Sequence, residues 1–157
     1  MIQPLELMRL AIEKCREGMA VGNSPFGCAI ARGDEIISIA HNTVLTTIDI
    51  TAHAEVNALR LGCKHAGSIF LEGAVVATTC EPCPMCMAAL HWARVETVYF
   101  GATVQDAIDT GFNELQIPAQ KIAALGGSKV KLVSGLLADE CQQLFRDWKK
   151  LPKPQTY

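Results

Sequence analysis

Two short stretches constrain this chain more than anything else in it: Thr51-Ala52-His53-Ala54-Glu55 and Cys80-Glu81-Pro82-Cys83-Pro84-Met85-Cys86. Together they bring an imidazole, a carboxylate and a pair of thiols to what read as helix starts. Cys83 and Cys86 are three apart and project from one face of a helix. Pro84 suits a first helical turn, where its missing N–H costs nothing. The positive end of a helix stabilises thiolates, the form that binds metals. His53 and Glu55 are two apart and share no face in mid-helix, yet at a helix start both can reach a metal lying beyond it. The chain must therefore fold so that two helix N-termini, distant in sequence, meet.

Two sulfurs and one imidazole are a zinc donor set. Three protein ligands leave one position open, as catalytic zinc requires, and a water there has its pKa lowered to about 7. His53, Cys83 and Cys86 are thus expected to hold one Zn2+ per chain, with Glu55 beside it as proton carrier. The opposing reading is a structural clamp closed by a fourth protein ligand, for which Cys80, Cys63 and His65 are candidates. A clamp gives no purpose to a glutamate placed just after His53. His41 reads as a further candidate ligand or as a surface histidine.

The 157 residues, half of them hydrophobic, are enough for one domain, 1–157, with a sizeable core. No apolar run approaches the roughly 20 residues that span a bilayer, and Met1-Ile2-Gln3-Pro4 does not open a signal peptide. Seven cysteines, an odd count beside a metal motif, point to reduced thiols in the cytoplasm. A net charge of −2 without a dense Lys/Arg run disfavours, without excluding, a nucleic-acid partner. Lys149, Lys150 and Lys153 read as a solvated helix end.

Apolar spacing predicts a first helix over Leu5–Gly18. Strands follow at Cys28–Ala31 and Glu35–Ala40 around an Arg32-Gly33-Asp34 turn. The first metal half opens a helix running to Gly62, capped by Asp49 or Thr51. A buried strand at Ala74–Thr78 leads to the second metal half and a helix ending near Ala93. Thr97–Phe100 is the next strand. Pro118 starts a short helix to Leu125, and the length of that connection allows the strand Lys129–Val133 to lie parallel to its neighbour. Leu136–Lys149 is the last helix, with an apolar face expected to bury against a partner. The fold class is α/β: a three-layer α/β/α sandwich on a five-stranded mixed sheet, with both metal halves at helix starts on one edge of it.

With these residues in place the chain resembles the cytidine deaminase superfamily, whose zinc deaminases carry His-x-Glu with Pro-Cys-x-x-Cys. Here 27 residues separate Glu55 from Cys83. Pro25-Phe26-Gly27 is similar to the family's substrate loop. Leu90-His91-Trp92-Ala93-Arg94, the stretch Asp106–Glu114 and the tyrosine at 157 resemble the bacterial guanine deaminase branch. That resemblance implies hydrolytic deamination of a purine base, guanine to xanthine and ammonia. It implies substrate contacts from Asn42, Phe26, Ala54, Trp92 and Tyr157, and from Glu114 where the branch has an aspartate. It also implies a homodimer, in one form of which the C-terminal tails are exchanged. Ile50 departs from the proline usual there. The second resemblance is to bacterial tRNA adenosine deaminases, through Val98-Tyr99-Phe100-Gly101-Ala102 and Gly135–Cys141, although the branch's Gly-Ala-x-Asp-Pro-Lys type of stretch is missing. It implies adenosine-to-inosine conversion at the wobble position of tRNA. A nucleoside, cytosine or a triazine remains open as the aminated ring, and the rival of another class is a noncatalytic zinc-stabilised binding module.

Overall fold

Helix α1, Pro4–Ala20, buries Leu7, Met8, Ala11, Ile12, Cys15 and Met19 along one stripe, and Pro4 sits in its first turn. In the computed structural model, which describes residues 1–157, this stripe lies on a five-stranded sheet. Strands β1, Gly27–Arg32, and β2, Glu35–His41, pair antiparallel around Gly33, whose positive φ of 64° fits the tight turn. α1 and β1 approach closely at Gly27, where any Cβ would collide with the Ala11 carbonyl.

After a short helix α2, Val44–Thr47, come α3, Ala54–Ala66, and β3, Val75–Cys80. Then follow α4, Pro84–Trp92, β4, Thr97–Ala102, α5, Val104–Thr110, and α6, Ala119–Gly126. The chain ends with β5, Lys131–Ser134, and α7, Ala138–Lys149. The strand order is β2-β1-β3-β4-β5. β3 is antiparallel to β1 and parallel to β4, and β5 is parallel to β4. The sheet is mixed and five-stranded, as the sequence implies.

Alternation along β1 shows why both faces need cover. Cys28 and Ile30 point into one core with Ala58, Leu59, Val76, Met87, Leu90 and Val98, from α3, α4 and the sheet. Ala29 and Ala31 point into the other with Leu7, Met8, Cys141, Leu144, Phe145 and Trp148, from α1 and α7. The period of two thus puts helices on each side.

Four expectations are corrected. The apolar face of α7 is buried inside its own chain, against α1, and is not free for a partner. That helix starts at Ala138 because Leu137 adopts a left-handed conformation, φ 52°. β5 begins two residues later than the spacing suggests, at Lys131. α5 lies in a stretch read as connection; its Thr103–Asp106 pair forms a reciprocal capping box, each side chain accepting from the other residue's backbone N–H.

Candidate metal centre and active site

The two metal halves are built alike. His53 is the N-cap of α3 and Cys83 the N-cap of α4, both in extended backbone. A residue at that position points its side chain off the helix end rather than along its flank. β3 delivers the second half, ending at Cys80 just before the turn into α4. The first is held by Asn57, whose Nδ2 donates to the carbonyls of His41 (3.0 Å) and Ala52 (3.3 Å) and to Thr43 Oγ1 (3.0 Å). Asp49 does not cap α3, and neither does Thr51. Asp49 Oδ1 instead accepts from Thr51 N–H (2.9 Å) and Oγ1 (2.7 Å), tightening the loop that presents His53.

His53 Nδ1 lies 3.6 Å from Cys83 Sγ and 3.6 Å from Cys86 Sγ, and the ligand atoms of the three residues all fall within 4.8 Å of one another. Tetrahedral zinc with Zn–S near 2.3 Å and Zn–N near 2.0 Å sets the nitrogen and each sulfur about 3.6 Å apart. The donor set fits zinc in both chemistry and spacing. The hydrogen bond from Cys86, aided by His53 and opposed by burial, brings the Cys83 thiol down to about 4, so it is a thiolate at neutral pH. No fourth protein ligand joins them. Cys80 Sγ is directed at Thr103 O (3.5 Å), Cys63 Sγ at Ile69 O (3.8 Å), His65 pairs with Glu35 (2.6 Å), and His41 Nδ1 faces Asn42 O (2.9 Å). The closed structural clamp therefore has no fourth side, and the open position belongs to a catalytic site.

Glu55, in the first turn of α3, is buried. Its Oε1 accepts from the Thr78 hydroxyl at 2.8 Å, and its Oε2 lies 3.4 Å from Cys86 Sγ. Burial pushes its carboxyl above the usual carboxylate range, and the Cys83 thiolate pushes it the same way. A carboxylate with a raised pKa is one that can both take and return a proton.

The space around these groups has two parts. An inner cavity of about 20 Å³ touches Phe26, His53, Glu55, Cys80, Glu81, Cys83, Glu114 and Tyr157. That is room for a single water. It is flanked by an outer cavity of about 330 Å³, whose walls include Ile50, Met85, Glu114, Leu115 and Tyr157. Burial, then the Cys83 thiolate, pushes the Glu114 carboxyl up to about 7.

The structure brings together most of the residues singled out from sequence. Phe26 packs edge-on against Phe112 and Phe145, with ring centroids 5.1 and 5.6 Å away. Phe112 in turn meets Tyr157 at 5.2 Å, and Tyr157 stands 5.8 Å from the His53 ring. Ala54 is buried at the first position of α3, where its N–H has no intrahelical acceptor. Asn42 is fully buried and already engaged: its Oδ1 accepts from Val44 N–H at 3.0 Å and its Nδ2 donates to the Tyr157 hydroxyl at 2.6 Å. Asn42 therefore meets a ligand edge only when Tyr157 yields.

Trp92 is not brought to this cavity. It closes α4 and is 78% exposed, in an apolar groove with Val56, Leu59, Ile69 and Phe70. Nine residues beyond Cys83 at about 100° each is half a turn round the helix and about 13 Å along it. Sequence reasoning missed Thr78, whose alternation on β3 could have shown it aimed at the helix face carrying Glu55, and Phe112 as the buried ring behind Phe26 and Tyr157.

Comparison with known proteins agrees with the geometry. The family model for the cytidine and deoxycytidylate deaminase zinc-binding region matches residues 1–102. Guanine deaminase of Bacillus subtilis is 41% identical over 108 residues, 68% of this chain and 69% of that protein. The tRNA-specific adenosine deaminase of the same organism is 33% identical over 150 residues, 93% of this chain and 91% of that one. The solved structure of guanine deaminase from Nitrosomonas europaea superposes with a TM-score of 0.88 at 26% identity, covering 96% of this chain and 87% of the other. With a match over most of its length and a metal-ligand triad whose spacing fits zinc beside a buried glutamate, the chain belongs to the cytidine and deoxycytidylate deaminase family and is a zinc-dependent hydrolytic deaminase.

Proposed function

We propose that this deaminase acts on a free purine base, converting guanine to xanthine with release of ammonia. One observation carries the reading: the Glu114 carboxyl lines the same cavities as the zinc ligands His53 and Cys83. Guanine presents an N–H beside its amino group, a donor edge that an ionised carboxylate accepts from. Zinc, when bound, supplies an activated water at neutral pH. Glu55 takes the proton from that water, passes it to the adjacent ring nitrogen, and returns a proton to the departing amine. Phe26 and Tyr157 enclose the ring, the backbone N–H of Ala54 is free to donate to it, and Asn42 reads the far edge once Tyr157 moves.

The homodimer belongs to this reading. The apolar groove holding Trp92 is where a second copy would bury surface, and Trp92 serves that assembly rather than its own chain's cavity. No helix is long and apolar enough to cross a membrane. All seven cysteines are unpaired, which suits the reducing cytoplasm, where we place the enzyme.

A second reading, wobble adenosine in tRNA, is favoured by the tRNA-specific relative, which aligns along 93% of the chain. An ammonia-release screen of the zinc-loaded protein over guanine, guanosine, adenine, cytosine, cytidine, triazines and tRNA tests both. Turnover of guanine supports the first reading. Inosine formed in a tRNA anticodon stem with guanine untouched replaces it with the second.

A further inference from the structure

We propose that Glu81 is a positioning residue for substrate recognition. Its single carboxylate pins the start of α5 and the start of α6, the helices that flank residues 111–118, and so sets where Glu114 stands. Oε1 accepts from the N–H of Val104 at 3.1 Å, and Oε2 accepts from the N–H of Ala119 at 2.8 Å. Val104 is the first residue of α5 and Ala119 the first of α6. One anion thus bridges two helix N-termini, both electropositive and both with donors that the helix itself leaves free. Glu81 is itself tied to the sheet, since its N–H donates to Ala102 O at the end of β4, at 2.8 Å.

Everything between those helices, Gly111 to Pro118, is irregular chain. It carries Asn113, Glu114 and Leu115 to the outer cavity. Next to Glu114 it is also tied by Asn113 N–H, which donates to Tyr157 O at 2.8 Å, a contact with the tail. Without the bridge, the start of α6 keeps its apolar seat, with Ala119 and Ala123 in the core, but loses the polar tie that fixes it relative to α5. Both Glu81 oxygens are engaged with backbone, so the residue acts through what it holds. A shift of about 1 Å in a positioning group is enough to cost up to a hundredfold in rate.

The proposal rests on the reading that Glu114 contacts the base, and the test separates the two. Glu81→Gln puts an amide NH2 opposite one of the two N–H donors and breaks one arm of the bridge. Zinc-loaded wild type, Glu81→Gln, Glu114→Gln and the double variant are assayed with guanine, alongside zinc content and hydrogen exchange. The expected result is full zinc, faster exchange at Val104, Ala119 and residues 111–117 but not in α3, and a ten- to hundredfold loss of kcat/KM carried mostly by KM. The double variant is expected to be no worse than Glu114→Gln alone, because Glu81 works through Glu114. Additive penalties, loss of zinc, or unchanged exchange over 111–117 would each overturn the proposal. If guanine is not turned over by wild type, the functional reading fails, and exchange still decides the role of Glu81. Should Glu81→Gln not fold, Glu81→Asp keeps the charge but is too short to span both donors, and the same outcomes apply.

Discussion

The Thr78 hydroxyl donates to Glu55 Oε1 at 2.8 Å, inside a region where both residues are buried. This bond favours the ionised carboxylate against a burial that opposes it. Thr78→Val keeps the shape and removes the donor. Glu55 then holds its proton to higher pH, so the acid limb of the kcat/KM profile moves upward and neutral-pH activity drops about tenfold. A profile superimposable on wild type would show that Thr78 only fills space.

Removing the proton carrier itself is expected to be far more costly. Glu55→Ala should keep zinc, because the three ligands are untouched, yet lose turnover by at least the roughly 10²–10⁴ that one general acid–base group supplies. Metal analysis paired with ammonia release checks this. Near-normal turnover would reduce Glu55 to a buried residue of the first helical turn.

Cys83→Ala should lose metal and stability together. The triad then keeps one sulfur and one imidazole, and metal affinity that stabilises only the folded state is lost with it. Thermal melts with and without a chelator should differ for wild type and coincide for the variant. Full zinc occupancy in Cys83→Ala would strike that residue from the ligand set.

Glu114 gives a pH dependence whose sign follows from its pKa of about 7. The ionised form accepts from a donor edge and the protonated form does not, so KM for guanine is expected to rise as pH falls through 7. Stability runs the other way: the folded protein holds this proton more tightly than the unfolded chain, so the group is least costly below the ordinary carboxylate range and stability declines as pH rises towards 7. Glu114→Gln should flatten both trends. A KM that is as pH-dependent in the variant as in wild type would assign the titration elsewhere.

Tyr157→Phe removes only the hydroxyl that Asn42 Nδ2 donates to at 2.6 Å. The tail then closes less firmly and Asn42 is freed in the resting state. Proteolysis at the C-terminus should quicken, and the base should bind Asn42 without displacing a partner. An unchanged digestion rate would mean that ring packing on Phe112 holds the tail by itself.

Much of the site was legible because metal ligation is local chemistry. His53, Cys83 and Cys86 announce themselves by spacing, and each metal half stands where a helix start is marked by its own residues, Pro84 above all. The strands were legible too, through alternation such as Cys28, Ala29, Ile30 and Ala31, although their ends moved by a residue or two. What stayed hidden was what tertiary contact decides. The exception is the capping box of Thr103 and Asp106, a local signal set inside a long connection. The left-handed turn at Leu137 has no marker, since a leucine rarely adopts it. The return of Tyr157 to a histidine 104 positions earlier in the chain leaves no trace in local pattern. Trp92 is the instructive case: helical periodicity alone places it on the far side of α4 from Cys83, against what the resemblance implies.

On the proposed reading, the reacting groups and the carboxylate that accepts from the base's donor edge lie on separate pieces of polypeptide. The metal-binding residues and Glu55 come from α3 and α4, whereas Glu114 rides on the irregular chain between α5 and α6. If Glu114 reads the base as proposed, a gene library randomised over Asn113, Glu114 and Leu115 varies what the enzyme selects while leaving its hydrolytic machinery constant, and the same boundaries mark where a loop from a relative with another preference could be transplanted whole.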